Sequence, residues 1–182
     1  MRKELIRTSK LLSLVLRHDP GAIGIELDEN GWVDVDVLLA AIAEHKKPVS
    51  REALEEIVAT NDKKRFAFSE DQKRIRASQG HSVEIDLELE AVEPPEVLLH
   101  GTATRFVESI LEKGLIPGSR QHVHLSADEV TAHKVGSRHG KPVIFEVDCV
   151  AMRAAGAEFF RSANGVWLTA SVAPEFLRLT PD

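Results

Sequence analysis

Leu98 to Ser126 reads LLHGTATRFVESILEKGLIPGSRQHVHLS, and its spacing predicts strand, helix, loop and strand with polar residues gathered at the element ends. Val97, Leu98 and Leu99 form a short apolar run that stops at His100-Gly101-Thr102. There glycine lets a ligand approach the backbone, and the imidazole and hydroxyl offer hydrogen bonds. Thr104 is placed to cap the next helix, whose apolar stripe is Phe106, Val107, Ile110 and Leu111, with Gly114 as a left-handed stop. Pro117 and Gly118 make the following loop. After Arg120, the alternation His122, Val123, His124, Leu125 puts both imidazoles on one strand face and both aliphatics on the other. The expectation is one pocket lined by the polar ends of these elements.

Toward the N-terminus, residues 3–17 read as an amphipathic helix: Leu11, Leu14, Val15 and His18 share one line and Lys10, Ser13 and Arg17 another, until Pro20-Gly21 ends it. Ile23 to Leu27 and Gly31 to Val33 read as short strands. Asp34 and Ser50 each precede an apolar-periodic stretch that they can cap. Arg65 to Phe68 and Arg74 to Ala77 form the arms of a β-hairpin around Ser69 to Gln72. Helices followed by a basic hairpin give an element order of the winged-helix type. Val83, Ile85, Leu87 and Leu89 then alternate with acids ahead of Pro94-Pro95, as a strand or an extended connector. That connector divides the chain into lobes of residues 1–90 and 91–182. In the second lobe, Ser126 with Glu129 makes a capping-box pattern for a helix to about Arg138, followed by a strand over 143–147, a short helix over 150–155 and short β segments. The fold class expected is α+β, a winged-helix-like lobe followed by a β-rich one.

The 182 residues, 43% of them apolar, suffice for one medium domain or two small lobes. The single cysteine, Cys149, excludes an internal disulfide framework, and no leader or long apolar run is visible, so a cytoplasmic monomer without membrane contact is expected. The net charge of −6 superficially disfavours nucleic acid, yet residues 83–96 hold six acids and no base while the flanking segments balance. The excess sits in the connector, so local clusters decide.

Three groups of residues can carry chemistry. Arg17-His18 closes a helix, where compensation of the helix dipole accounts for the charges without any ligand. Lys63-Lys64-Arg65 and Lys73-Arg74-Ile75-Arg76 would gather cations on paired strands, either as a solvated hairpin or as a phosphate patch suited to the guanidinium fork. Gln79-Gly80-His81-Ser82 is a polar turn. His122 and His124 lack a third ligand at zinc-like spacing, so no metal is expected. The absence of GxGxxG, phosphate-loop and GxSxG patterns withdraws support from the common nucleotide folds and serine hydrolases.

Taken together, Ser9-Lys10-Leu11-Leu12-Ser13 with Leu16-Arg17-His18-Asp19-Pro20, Asp62-Lys63-Lys64-Arg65-Phe66, Ile75 to Ser82, Leu99 to Thr102 and Arg120 to Ser126 resemble, in order over essentially the whole chain, the RNA 2′-phosphotransferase family called Tpt1 or KptA. The resemblance implies an N-terminal RNA-binding lobe of winged-helix type and a C-terminal NAD lobe with the ADP-ribosyltransferase fold. It implies removal of an internal RNA 2′-phosphate, as at a tRNA-like splice junction, with NAD⁺ consumed as co-substrate. An ADP-ribosylated RNA phosphate is the intermediate, and the products are 2′-hydroxyl RNA, nicotinamide and ADP-ribose 1″,2″-cyclic phosphate. By the same resemblance Arg17, His18, Arg65 and Arg120 are catalytic, and Lys63 supports Arg17, Arg65 and Arg120 on the substrate phosphate. His100, Gly101, Thr102, Gly118, His124 and Ser126 contact NAD. Where many protein-modifying transferases carry a catalytic glutamate, this sequence reads Gly165-Val166-Trp167-Leu168-Thr169, with Val166 at the acid's position. The alternatives are ADP-ribosylation of a terminal RNA or DNA phosphate, and a winged-helix binding protein with a degenerate second lobe.

Overall fold

The computed structural model describes residues 3–181. The chain is α+β and divides into two compact units, residues 1–88 and 89–182. Each has its own apolar core.

The first unit begins with helix α1, Lys3–Val15, whose Leu5, Leu12 and Val15 are buried. The helix stops two residues short of its sequence-predicted end, and Leu16 to His18 form a turn in which the His18 and Asp19 N–H groups both bond to the Leu14 carbonyl. Instead of a strand at Ile23, a 3-10 turn spans Pro20–Ile23, because Asp19 accepts from the Ala22 N–H and proline starts the turn with φ already suited to it. Strand β1 is only Val33–Asp34. Helix α2, Val35–His45, is capped by Asp34, and helix α3, Arg51–Thr60, by Ser50, as the sequence predicts. The hairpin follows as β2, Phe66–Phe68, and β3, Arg74–Ala77, and the antiparallel order is β1-β3-β2. Leu12, Leu16, Leu38, Ile42, Leu54, Ile57 and Ile75 are fully enclosed between helices and sheet. Residues 84–88 carry no strand pairing, Glu88 turns with φ of +54°, and burial of Ile85 and Leu87 holds the segment to the unit.

The second unit contains two three-stranded antiparallel sheets. Strand β4, Val97–Ala103, pairs along its whole length with β6, Pro142–Asp148, which in turn pairs with β9, Leu177–Leu179. Strand β5, Val123–Leu125, pairs with β8, Trp167–Thr169, and β8 with β7, Phe159–Arg161. A reciprocal Leu99–Ser126 backbone bridge, 2.8 Å in each direction, joins the sheets. Helix α4, Val107–Lys113, lies between β4 and β5, helix α5, Glu129–Gly136, after β5, and helix α6, Cys149–Ala154, after β6.

Three local expectations are overturned here. Thr104 caps nothing: a 3-10 turn over Thr104–Phe106 precedes α4, and neither has a side-chain cap. Phe106 and Leu111 are exposed, so Ile110 carries the buried contact of α4. At α5 the cap is Asp128, which accepts from the Thr131 N–H at 2.7 Å, because the Ser126 backbone is already committed to Leu99.

Candidate functional site

In the first unit the end of α1 presents Arg17 and His18. Arg17 is buried at 8% exposure, whereas His18 reaches the surface. The Arg17 carbonyl, an orphan acceptor of the helix terminus, takes the Ser82 N–H at 2.9 Å and the Val83 N–H at 3.3 Å. The His18 ring is held through Nδ1, 2.9 Å from Ser82 Oγ.

Lys63 and Arg65 lie in the loop after α3. That loop winds around one buried carboxamide: Asn61 Oδ1 accepts from the Lys63 N–H at 3.1 Å and the Arg65 N–H at 3.4 Å. Lys64 takes φ of +43°, which lets the chain reverse tightly enough for its N–H to reach the Asn61 carbonyl at 2.8 Å. Ser78, also buried, secures the far side, with its N–H on the Arg65 carbonyl at 2.8 Å and Oγ on the Lys64 carbonyl at 2.9 Å. The segment from Ser78 to Ser82 thus bonds Arg65 at one end and Arg17-His18 at the other. Its four residue steps limit the span to about 14 Å, and the positive φ of Gly80 shortens it further.

The hairpin cations are engaged differently. Arg76 lies over the Trp32 ring at 4.4 Å and donates to the Asn30 carbonyl, while Arg74 lies 5.4 Å from the same ring and pairs with Asp28 at 3.5 Å. Such cation–aromatic contacts spend these two guanidinium groups on the loop before β1.

His81 has a different character from its neighbours in the turn. It is 1% exposed, packs beside Gly31 and Ile85, and neither ring nitrogen has a hydrogen-bond partner among the described residues. Burial first, then the charges of Arg17, Arg76 and His18, push its pKa down to about 4, so the ring is neutral at physiological pH.

In the second unit, His100-Gly101-Thr102 is not a strand end: β4 continues through it, paired to Phe145, Ile144 and Val143. A Cβ on Gly101 would fall 1.6 Å from the Ala132 carbonyl oxygen, and one on Gly136 would fall 2.5 Å from the Thr102 carbonyl oxygen. Both glycines therefore serve the close packing of α5 onto β4. This accounts for Gly101 without a ligand. Thr102 is buried, and His100 Nδ1 lies 3.1 Å from the His124 carbonyl, which assigns the proton to Nδ1. Burial lowers the His100 pKa, and the bond to the His124 carbonyl only partly opposes it.

Arg120 follows the Pro117–Arg120 turn, in which its N–H reaches the Pro117 carbonyl and Gly118 has φ of +63° with open space around it. Its Nη1 lies 3.0 Å from His124 Nδ1. Since guanidinium only donates, this nitrogen accepts, and the neutral His124 ring carries its proton on Nε2. Partial burial and then the Arg138 charge lower the Arg120 pKa, so two guanidinium groups lie within mutual electrostatic reach. His122 leans against Phe160, with ring centroids 5.8 Å apart. Thus the two imidazoles of the alternation meet different partners. Ser126 is half-buried at the bridge to Leu99, and Val166 immediately precedes β8 with its N–H bonded to Ser162 Oγ at 3.1 Å. Cys149 is buried with its thiol pushed up to about 11, which makes it a packing residue and a poor nucleophile.

The structure therefore groups Arg17, His18, Lys63 and Arg65 around the first unit's turn, and His100, Thr102, Arg120, His124 and Ser126 around the second unit's sheet junction. Sequence reasoning missed Asn61, Ser78 and Ser82 as supports. The motif containing Ser78 and Ser82 was visible, but their backbone partners lie 13 and 65 residues away.

Comparison with known proteins adds an independent finding. The family model described as "RNA 2'-phosphotransferase, Tpt1 / KptA family" matches residues 3–171. A probable RNA 2'-phosphotransferase of Hahella chejuensis is 59% identical over 179 residues, covering 98% of this chain and 96% of the relative. One from Pseudomonas fluorescens is 56% identical over 98% and 99% of the two chains, and one from Nostoc punctiforme 53% identical over 96% of each.

Proposed function

Since the chain belongs to the Tpt1/KptA family of RNA 2′-phosphotransferases, we propose that it removes an internal RNA 2′-phosphate by an NAD⁺-consuming reaction. The observation that carries this reading is the Ser78–Ser82 segment, which ties the backbone of Arg65 to that of Arg17-His18 within one unit. A phosphate dianion needs several cations held at fixed separation, and guanidinium groups meet it with two donors at a time. Three helices and a three-stranded sheet with a hairpin support the assignment of residues 1–90 as a winged-helix-like RNA lobe. Two small linked sheets support residues 91–182 as an ADP-ribosyltransferase-like lobe.

The second unit's donors fit a dinucleotide. His100 offers a neutral imidazole, His124 a second ring, Thr102 a hydroxyl, and Arg138, within electrostatic reach of Arg120, a positive charge suited to a pyrophosphate. NAD⁺, when bound, supplies an anomeric carbon whose nicotinamide departs as a neutral molecule. In this reading Arg17, Arg65 and Lys63 position the anionic 2′-phosphate, a nucleophile that needs no general base to begin. His100, Thr102, Gly118, His124 and Ser126 orient the dinucleotide, with Gly101 serving through the packing of α5. Arg120 and His18 then stabilise the charge that gathers on phosphorus, and His18 is the group able to move a proton between the two hydroxyls exchanged there. Val166 in place of an acid agrees with an acceptor already ionised.

Incubation with NAD⁺ and an oligonucleotide bearing one internal 2′-phosphate tests the proposal. Release of nicotinamide, restored 2′-hydroxyl RNA and ADP-ribose 1″,2″-cyclic phosphate are expected. Retention of the phosphate without turnover refutes it, and ADP-ribose left on a terminal phosphate as the sole product transfers the activity to nucleic-acid ends.

A further inference from the structure

The Gln79-Gly80-His81-Ser82 turn has no assigned part in the proposed chemistry, yet it is the segment through which the first unit's phosphate-handling residues are joined. We infer that Ser82 is a positioning residue for His18: its hydroxyl aims the imidazole and sets which ring nitrogen presents a proton outward. This rests on the reading above for the role of His18 but not for the contact itself.

Three observations carry it. Ser82 Oγ lies 2.9 Å from His18 Nδ1, whereas its next acceptor, the Arg17 carbonyl, is 3.5 Å away and already takes two backbone N–H groups. The shorter contact lets the hydroxyl donate to Nδ1, and in that tautomer of the neutral ring the proton resides on Nε2, at the edge away from Ser82. A phosphate dianion accepts only, so this tautomer is a donor that needs no prior protonation. If His18 takes a second proton, the same hydroxyl reverses, accepting from Nδ1–H and turning its own hydrogen toward the Arg17 carbonyl. One side chain thus serves both protonation states that a proton-moving imidazole passes through.

The second observation is that Ser82 cannot drift. Its N–H is bonded to the Arg17 carbonyl at 2.9 Å, and Ser78 at the other end of the turn is bonded to Arg65 and Lys64. Thirdly, His81 between them is packed at 1% exposure against Gly31 and Ile85, anchoring the turn to the interior. The Ser82 side chain is itself exposed, so removing its oxygen leaves the core intact, and threonine keeps the hydroxyl.

The test is a double-mutant cycle of Ser82→Ala and His18→Ala, with Ser82→Thr as rescue, in single-turnover and steady-state assays on the 2′-phosphorylated oligonucleotide. Ser82→Ala is expected to lower kcat on the order of tenfold with KM for RNA changed by less than about twofold, and Ser82→Thr to restore most of the rate. In the His18→Ala background Ser82→Ala is expected to cost nothing more, because the imidazole it aims is gone. Equal losses in both backgrounds, or a full rate in Ser82→Ala, overturn the inference. Long-range ¹H–¹⁵N spectra of the substrate-free protein supply a second readout, in which the His18 Nδ1 resonance should move on Ser82→Ala and not on Ser82→Thr. An unmoved resonance rules out the contact. A wild-type protein inactive on the oligonucleotide removes the proposed function, while the spectra still decide the contact.

Discussion

His81 links the buried turn to a pH dependence that can be worked in advance. In the unfolded chain its pKa is near 6.5, and in the folded protein it is pushed down to about 4 by burial and by Arg17, Arg76 and His18. Between these values the unfolded state binds more protons than the native state, so stability rises with pH through the window. The stability is complete above about pH 6.5 and is lost as pH falls toward about 4. The proton-binding expression gives a loss of about 1 kcal/mol between pH 7 and pH 5.5, and about 2.5 kcal/mol by pH 4.5. His81→Leu removes the titrating group. Because neither ring nitrogen is hydrogen-bonded among the described residues, the substitution should cost less than about 1 kcal/mol at pH 7. Trp32 belongs to the unit that carries His81 and Trp167 to the other, so guanidinium melts followed by fluorescence in a Trp167→Phe background report the right unit. The expected result is a stability curve for His81→Leu flatter than that of the parent by about 1 kcal/mol between pH 7 and 5.5. All other ionisable groups are common to the two proteins, so the difference between the curves reports His81. Parallel curves would refute the reasoning, since they would mean that His81 is protonated equally in both states.

Other perturbations test the supports of the candidate site. Arg65→Lys keeps the charge but loses the planar fork, and phosphate removal should fall on the order of a hundredfold with the melting curve unchanged; an undiminished rate would show that charge alone suffices. Asn61→Ala deprives the Lys63 and Arg65 N–H groups of their shared acceptor and should destabilise the first unit by about 1 to 3 kcal/mol in denaturant melts. Gly101→Ala would drive a Cβ into the Ala132 carbonyl, so the second unit should lose about 3 kcal/mol or more; a near-native melt would mean that α5 moves away freely.

Much of the local structure was legible. Asp34 and Ser50 stand immediately before apolar-periodic stretches, and their carboxylate and hydroxyl accept from N–H groups two or three residues on, so both caps form from local chemistry. The hairpin of β2 and β3 and the alternation of β5 are equally local, since side chains two apart in a strand share a face. The family motifs were likewise present as strings of residues.

What the sequence by itself determined was which side chains are available and the local periodicities that carry them. Tertiary structure decided their partners. β4 runs on through His100-Gly101-Thr102 because β6 supplies a matching ladder 40 and more residues away, and Gly101 is glycine because the backbone of α5 lies against it. Phe106, in the turn before α4, and Leu111, within α4, belong to the apolar stripe the sequence predicts yet stay exposed, because among the residues of that helix it is Ile110 that is buried in the core. Arg17-His18 and Arg65 are far apart in the chain; five residues from Ser78 to Ser82 bring them under one constraint through backbone bonds to Arg17 and Arg65. Backbone N–H and carbonyl groups are the same at every position, so the pattern of side chains carries no direct record of which of them will meet.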